Sequence, residues 1–292
     1  MKSVELKSRG KINLSLDVLE KRPDGYHEVK MIMQEIDLHD NIRLVERRDR
    51  EDIQIISEYP YIPKNNSNIA SKAARLIKES FDIPWGLDIY IDKKLPVAAG
   101  LAGGSSNAAT VLRGLNHMWQ LQLTIEDLIK IGAEIGADVP FCIMGGAAIA
   151  EGIGEILTPI DGLKNTWMVL TKPYVSVSTA DVYSQLDLTT INNRPDMDKV
   201  LGAIKEDDLY TLCNNMVNVL ETVTEKQHPI IKDLKRKMME YHSIGSMMTG
   251  SGPTVFGIFK KYEQAKSAYD NLRIINKQTY MVQSYSKGNY HE

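Results

Sequence analysis

An α+β fold in two domains is what this sequence predicts, on three observations. The chain has 292 residues, about two domains' worth when one domain takes roughly 150. Segments with a two-residue apolar period are interspersed with segments of helical period. Near residue 160 the texture changes: Leu157-Thr158-Pro159 is followed by a new strand pattern at Val169 to Thr171 and a polar, turn-rich stretch from Leu188 to Asp198. The boundary placed there gives domains 1–160 and 161–292.

The elements follow in order. Ile12, Leu14 and Leu16 alternate with Lys11, Asn13 and Ser15, which predicts a strand with one apolar and one polar face. A lysine on such a face is ordinarily solvated. In Arg22-Pro23-Asp24-Gly25 the proline presets φ, the aspartate bonds its own backbone and the glycine takes a positive φ, so a turn is expected, with Tyr26 and His27 emerging from it. Strand patterns follow over Val29 to Leu38 and Ile42 to Val45, a helix over Ile69 to Ile77, and a strand in which Leu87, Ile89 and Ile91 alternate with polar residues until Pro96 closes it. Ala108, Leu112, Leu115 and Trp119 share one helix face. A further helix starts at Thr124, with Asp127 completing a capping box. It is expected to bury Ile125, Leu128, Ile129 and Ile135 and to end at Gly136. Beyond the boundary, helices are expected over Asp208 to Thr224 and Ile230 to Tyr241. Thr249-Gly250-Ser251-Gly252-Pro253 then leads into a strand, Thr254 to Phe259.

Composition removes several function classes. An apolar fraction of 43% and a charged fraction of 25% exclude disorder. A net charge of −3 supplies no basic field for nucleic acid, so an anionic ligand must be met locally. Two cysteines, Cys142 and Cys213, form neither a zinc framework nor a disulfide scaffold, and a reducing cytoplasm fits them. The first 25 residues mix charges and do not read as a signal peptide. The 12 residues Val139 to Ala150 are too short and too interrupted by Pro140 and Gly145-Gly146 to span a bilayer.

The most informative stretch is Pro96-Val97-Ala98-Ala99-Gly100-Leu101-Ala102-Gly103-Gly104-Ser105-Ser106, a small-residue loop between a strand and a helix. Backbone N–H groups that no side chain obstructs can close on phosphate oxygens, and the helix start carries roughly half a positive charge. Neither the P-loop nor the dinucleotide-binding spacing is present. The bland alternative is a packing loop whose glycines serve only backbone approach. Asp138 reads both as a general base and as the N-cap of the short apolar run behind it. Tyr26 and His27 read both as stacking groups and as packing against the turn. His117 and His242 have no partner at metal-ligand spacing. There is no nucleophile elbow, zincin or EF-hand pattern.

Three motifs in order, Lys11-Ile12-Asn13-Leu14, Pro96 to Ser106, and Thr249 to Phe256, resemble those of the GHMP kinases. The resemblance implies ATP-dependent phosphorylation of a small alcohol, with Mg²⁺ bridging the phosphates. It also implies an N-terminal ribosomal-S5-like α/β domain that binds ATP, a C-terminal ferredoxin-like domain, and an active site between them. Lys21 to His27, Gly104 to Ala109 and Gly136-Ala137-Asp138-Val139-Pro140 further resemble the branch whose acceptor is a cytidine diphosphate of a sugar alcohol, on the way to isoprenoid precursors. On that resemblance Asp138 and Lys11 are catalytic, Lys11 keeping the aspartate ionised and offsetting charge on the γ-phosphoryl group. Pro96 to Ser106 hold ATP, with Asn68 near the adenosine. Asn13, Tyr26, His27 and Tyr183 meet the cytidyl substrate. No magnesium ligand, nucleic-acid or membrane partner, or oligomeric state is implied. The alternatives are a GHMP kinase for another alcohol, of homoserine or mevalonate type, and a non-catalytic nucleotide-binding module.

Overall fold

Two long strands begin the chain, β1 (Ser3–Lys21) and β2 (His27–Arg47). In this computed structural model, which describes residues 2–286, they are joined by the expected turn: Gly25 has φ +88° and Asp24 Oδ1 accepts the Tyr26 N–H at 3.0 Å. The two strand patterns after the turn are one strand. Polar Asp40, in the middle, does not interrupt it, because its fully buried carboxylate accepts the N–H groups of Lys94 and Leu95, each at 2.8 Å, and the Lys93 ammonium at 2.5 Å.

The chain divides into two compact units, each built from several stretches. One comprises the residues up to Gly10, Leu38–Val97 and Ala102–Gly145; the other comprises Lys11–Asp37, Ala98–Leu101 and the chain from Gly146 onward. Residues 146–160, which a single cut at 160 leaves with the N-terminal part, cluster with the second unit.

In the first unit the C-terminal half of β2 pairs antiparallel with β4 (Gly86–Asp92), with Ile42 opposite Ile91 and Leu44 opposite Ile89. The short β3 (Ile53–Ile56) runs parallel along the other edge of β4. Four helices belong here: α1 (Ile69–Ser80), α2 (Gly103–Trp119), α3 (Ile125–Ala133) and α4 (Val139–Met144). α2 packs on α1 and α4, and α3 packs on α4. A Cβ at Gly114 would lie 2.6 Å from Leu44 Cδ1 and 2.7 Å from Leu6 Cδ1, so glycine lets α2 lie close on the strands. The capping box at Thr124 and Asp127 forms as expected. The extent of α3 differs, ending at Ala133, with Ile125 45% exposed. Ile125 shares the side of the helix that carries the buried Leu128 and Gly132, three and seven residues on, but the first turn, Thr124 to Glu126, is exposed. Ile135 and Gly136 belong to the turn into α4, a short helix with Pro140 in its first turn that the sequence pattern did not mark.

In the second unit the N-terminal half of β2 pairs antiparallel with β5 (Ala147–Glu151), and β5 with β6 (Ile156–Ile160). There follow β7 (Trp167–Thr171), α5 (Thr179–Ser184), α6 (Met197–Lys205), α7 (Leu209–Asn215), α8 (Glu221–Gln227), α9 (Ile230–Glu240), β8 (Gly245–Met248), β9 (Val255–Phe259), α10 (Tyr262–Ile275) and β10 (Thr279–Gln283). β7 to β10 form an antiparallel sheet in the order β10-β7-β9-β8, with α9 on β8 and β9, and α10 on β10, β7 and β9. Strand, helix, two strands, helix, strand in the order fourth-first-third-second is the ferredoxin-like arrangement, here with α5 to α8 inserted after its first strand. The single helix expected over Asp208 to Thr224 is two, α7 and α8. Between them Val217 O accepts Leu16 N at 2.9 Å and Val219 N donates to Leu16 O at 3.0 Å, so the backbone pairs with β1 instead of continuing the helix.

β1 also departs from its expected polar face. Lys11, Asn13 and Ser15 are as buried as the apolar residues between them, at 4%, 0% and 0% exposure. The alternation identified the strand, but both of its faces are covered.

Candidate active site

The glycine loop has a backbone that its sequence alone does not require. Ala98, Gly100 and Ala102 all take positive φ, at 50°, 73° and 54°, whereas Ala99 and Leu101 do not. Two alanines in the left-handed region cost roughly 1–2 kcal/mol each, and strain of this kind collects at ligand sites. Successive backbone N–H groups that point to one side of such a loop can form an anion-binding nest. α2 begins directly after it, and its N-cap, Ala102, supplies no side-chain bond to the first N–H groups.

Part of this loop belongs to the second unit, where it meets the first and third motifs. Lys11 N donates to Leu101 O at 3.1 Å. A Cβ on Gly100 would stand 2.4 Å from Thr249 O, and one on Gly250 would stand 3.3 Å from Gly100 O. Thr249 is the hub: its Oγ1 accepts Asn13 N at 3.0 Å and lies 3.4 Å from both Gly100 O and Asn13 Oδ1. Asn13 Oδ1 in turn accepts the Lys11 ammonium at 2.9 Å. Three motifs spread over the sequence therefore share one hydrogen-bonded cluster. Gly100→Ala is expected to lower stability by about 1–3 kcal/mol, because the methyl group meets backbone that cannot swing aside and φ is positive as well. Urea unfolding of the two proteins checks this; equal midpoints would mean that the loop relaxes freely around the methyl.

The same unit brings His27 and Tyr183 together, their rings 5.1 Å apart between centroids and tilted by 38°. Tyr26, 61% exposed, is turned outward on the hairpin. Burial holds the His27 imidazole below the ordinary histidine range, and the charge of Lys21 lowers it further. A neutral ring both donates and accepts, as reading a base edge requires.

In the first unit, Pro96 is buried and Val97 37% exposed. Ser106 is 2% exposed and accepts a hydrogen bond from Ser8 Oγ at 2.9 Å, so it holds the helix start in place, while Gly104 is exposed. Asn68 caps α1: its Oδ1 accepts Ala70 N at 3.0 Å and its Nδ2 donates to Pro63 O at 2.8 Å. Asp138 occupies the N-cap position of α4, half-buried, yet its side chain makes no capping bond. The bland reading of Asp138 thus has the position but not the bond that defines a cap.

Sequence reasoning missed a group at the start of α2. With its amide nitrogen facing these acceptors, Asn107 donates to Asp40 Oδ2 at 3.0 Å, Ser8 Oγ at 2.7 Å and Gly103 O at 3.2 Å. Lys93 Nζ, bound to Asp40, would be 3.0 Å from a Cβ on Gly103, which places a cation beside the start of α2. Burial lowers the Lys93 pKa and the Asp40 carboxylate opposes the shift. The visible signal was the pair Lys93-Lys94 just ahead of Pro96. Among the described residues no three His, Cys, Asp or Glu side chains gather where they could hold a metal ion. No set of these side chains among the described residues marks a site for the Mg²⁺ expected with ATP.

A small-residue loop with positive-φ alanines and a helix start without a side-chain cap are features that phosphate-binding loops share. Residues 68–146 match the GHMP kinases N terminal domain and residues 200–278 the GHMP kinases C terminal domain. A crystal structure of 4-(cytidine 5'-diphospho)-2C-methyl-D-erythritol kinase, 30% identical, superposes with a TM-score of 0.82 over 96% of this chain and 99% of that one. Homoserine kinase from Cytophaga hutchinsonii, 18% identical, shares the fold at a TM-score of 0.77 over 98% of this chain and 95% of its own. The 4-diphosphocytidyl-2-C-methyl-D-erythritol kinase of Alkaliphilus metalliredigens (strain QYMF) is 64% identical over the whole of both chains. The fold and the loop thus define a GHMP kinase. Within that class the chain belongs to the family of 4-diphosphocytidyl-2-C-methyl-D-erythritol kinases.

Proposed function

We propose that this protein transfers the γ-phosphoryl group of ATP to the tertiary 2-hydroxyl of 4-diphosphocytidyl-2-C-methyl-D-erythritol. The observation that carries the substrate is the pairing of His27 and Tyr183 beside the Arg22 to His27 turn, a neutral imidazole and an aromatic face suited to a cytosine. A kinase for homoserine or mevalonate has no use for it, and the likeness to such enzymes is one of fold.

Asp138 accepts the proton of the 2-hydroxyl as its oxygen bonds to the γ-phosphorus. The bond from that phosphorus to the β–γ bridging oxygen breaks, and ADP leaves. Lys11 offsets the charge on the phosphoryl oxygens, and the nest and the α2 N–H groups hold the rest of the triphosphate. Mg²⁺, when bound, neutralises phosphate charge. No helix among the described residues is long and apolar enough to cross a membrane.

ADP release measured with the cytidyl compound, homoserine and mevalonate tests the reading, and equal turnover of a non-cytidylated alcohol overturns the substrate. His27→Ala is expected to raise the KM for the cytidyl substrate about tenfold, within the 1–3 kcal/mol that a stacked base is worth, and to leave that for ATP unchanged. Because burial lowers its pKa, the wild-type KM should stay flat as pH falls through the ordinary histidine value of 6.5 and rise only below it. An effect of His27→Ala confined to ATP would put the base in another pocket.

A further inference from the structure

The residue that fastens the active-site cluster in place lies outside all three motifs. Asn218 is 2% exposed and its amide is fully used. Nδ2 donates to Met248 O and to Gly250 O, each at 2.8 Å, while Oδ1 accepts Leu220 N at 3.0 Å. The two carbonyls bracket Thr249. The backbone on either side of Asn218 pairs with Leu16, through Val217 O and Val219 N, so one short segment grips both the 248–250 loop and the strand that carries Lys11 and Asn13. Glu221 adds a third bond to the loop, its Oε1 accepting Met248 N at 2.7 Å. Its Oε2 is held by Lys235 at 2.7 Å.

We infer that Asn218 is a positioning residue for phosphoryl transfer: by fixing Thr249 it sets Asn13, and through Asn13 the Lys11 ammonium. The inference rests on the assignment of Lys11 and Asn13 to the reaction made above. Two donors on one planar group are what two carbonyls require. Serine offers one donor, and a carboxylate would face both carbonyl oxygens. Small displacements of a reacting group reduce rates steeply, about a hundredfold for 1 Å, so a loosened Thr249 affects turnover before it affects the fold.

The test is a double-mutant cycle on kcat in the ADP-release assay, with Thr249→Val removing the hydroxyl and Asn218→Ser removing the fork. Each is expected to lower kcat about tenfold, with the double variant close to either single one, and Thr249→Ser is expected to keep the wild-type rate. Multiplying effects in the double variant, or a kcat loss that only follows a lowered Tm, assign Asn218 a general structural role and overturn the inference. If Asn218→Ser does not fold, Thr249→Val decides: wild-type kcat there shows that no positioning runs through the hydroxyl. Lys11→Ala in the same assay separates the two readings. Near-normal turnover removes the Lys11 assignment and the inference with it, whereas a large loss beside an additive cycle removes only the role of Asn218.

Discussion

In Asp138→Asn, turnover is expected to fall by at least about a hundredfold while ATP binding is largely kept. The magnitude follows from the chemistry: a positioned general base contributes typically 10² to 10⁴, and an amide cannot take a proton from a tertiary alcohol. Asp138 is at the N-cap position of α4, where asparagine is as acceptable as aspartate, and the aspartate makes no capping bond that could be lost. The folded protein should therefore survive, which an unchanged Tm would confirm. Pre-steady-state phosphoryl transfer, with nucleotide binding titrated separately, distinguishes loss of chemistry from loss of ATP. Near-normal turnover would remove Asp138 as the base and leave positioning and charge as the sources of rate.

Local chemistry is what the sequence displays most openly. The Arg22 to Gly25 turn, the capping box at Thr124 and the strand–loop–helix order around Gly100 each depend on residues within a few positions of one another, and each formed as read. The ferredoxin-like part became legible only through the motif resemblance, since nothing local specifies that β7 lies between β10 and β9. The burial of Lys11 was not legible. Alternation reports that successive side chains point to opposite faces, but not whether the second face is covered by other parts of the chain. Asn218 escaped for a related reason: its partners Met248 and Gly250 are about thirty positions away, and within a helical pattern a lone asparagine carries no mark of what it binds. Its signal was the helix that failed to continue from Asn215 to Glu221, visible only once Leu16 was seen pairing there.

Lys11→Ala should match Asp138→Asn in size, at least about a hundredfold in kcat, for a different physical reason. A lysine 4% exposed on a strand is expensive to bury, and Asn13 Oδ1, which accepts the ammonium at 2.9 Å, offsets part of that cost. A charge kept in so dry a place acts on a developing phosphoryl charge far more strongly than it would in water. Alanine removes the charge and leaves a void, so Lys11→Met serves as the companion variant: it fills the space, keeps the strand and lacks only the cation. If both lose turnover alike while their melting temperatures differ, the loss belongs to the charge. If Lys11→Met turns over normally and only Lys11→Ala fails, Lys11 acts by packing, and Lys93, whose side chain is held by Asp40 beside the start of α2, becomes the next cation to test. Binding of the nucleotide should weaken far less than turnover in either variant, because the nest around Gly100 and the uncapped start of α2 are backbone features that neither substitution removes.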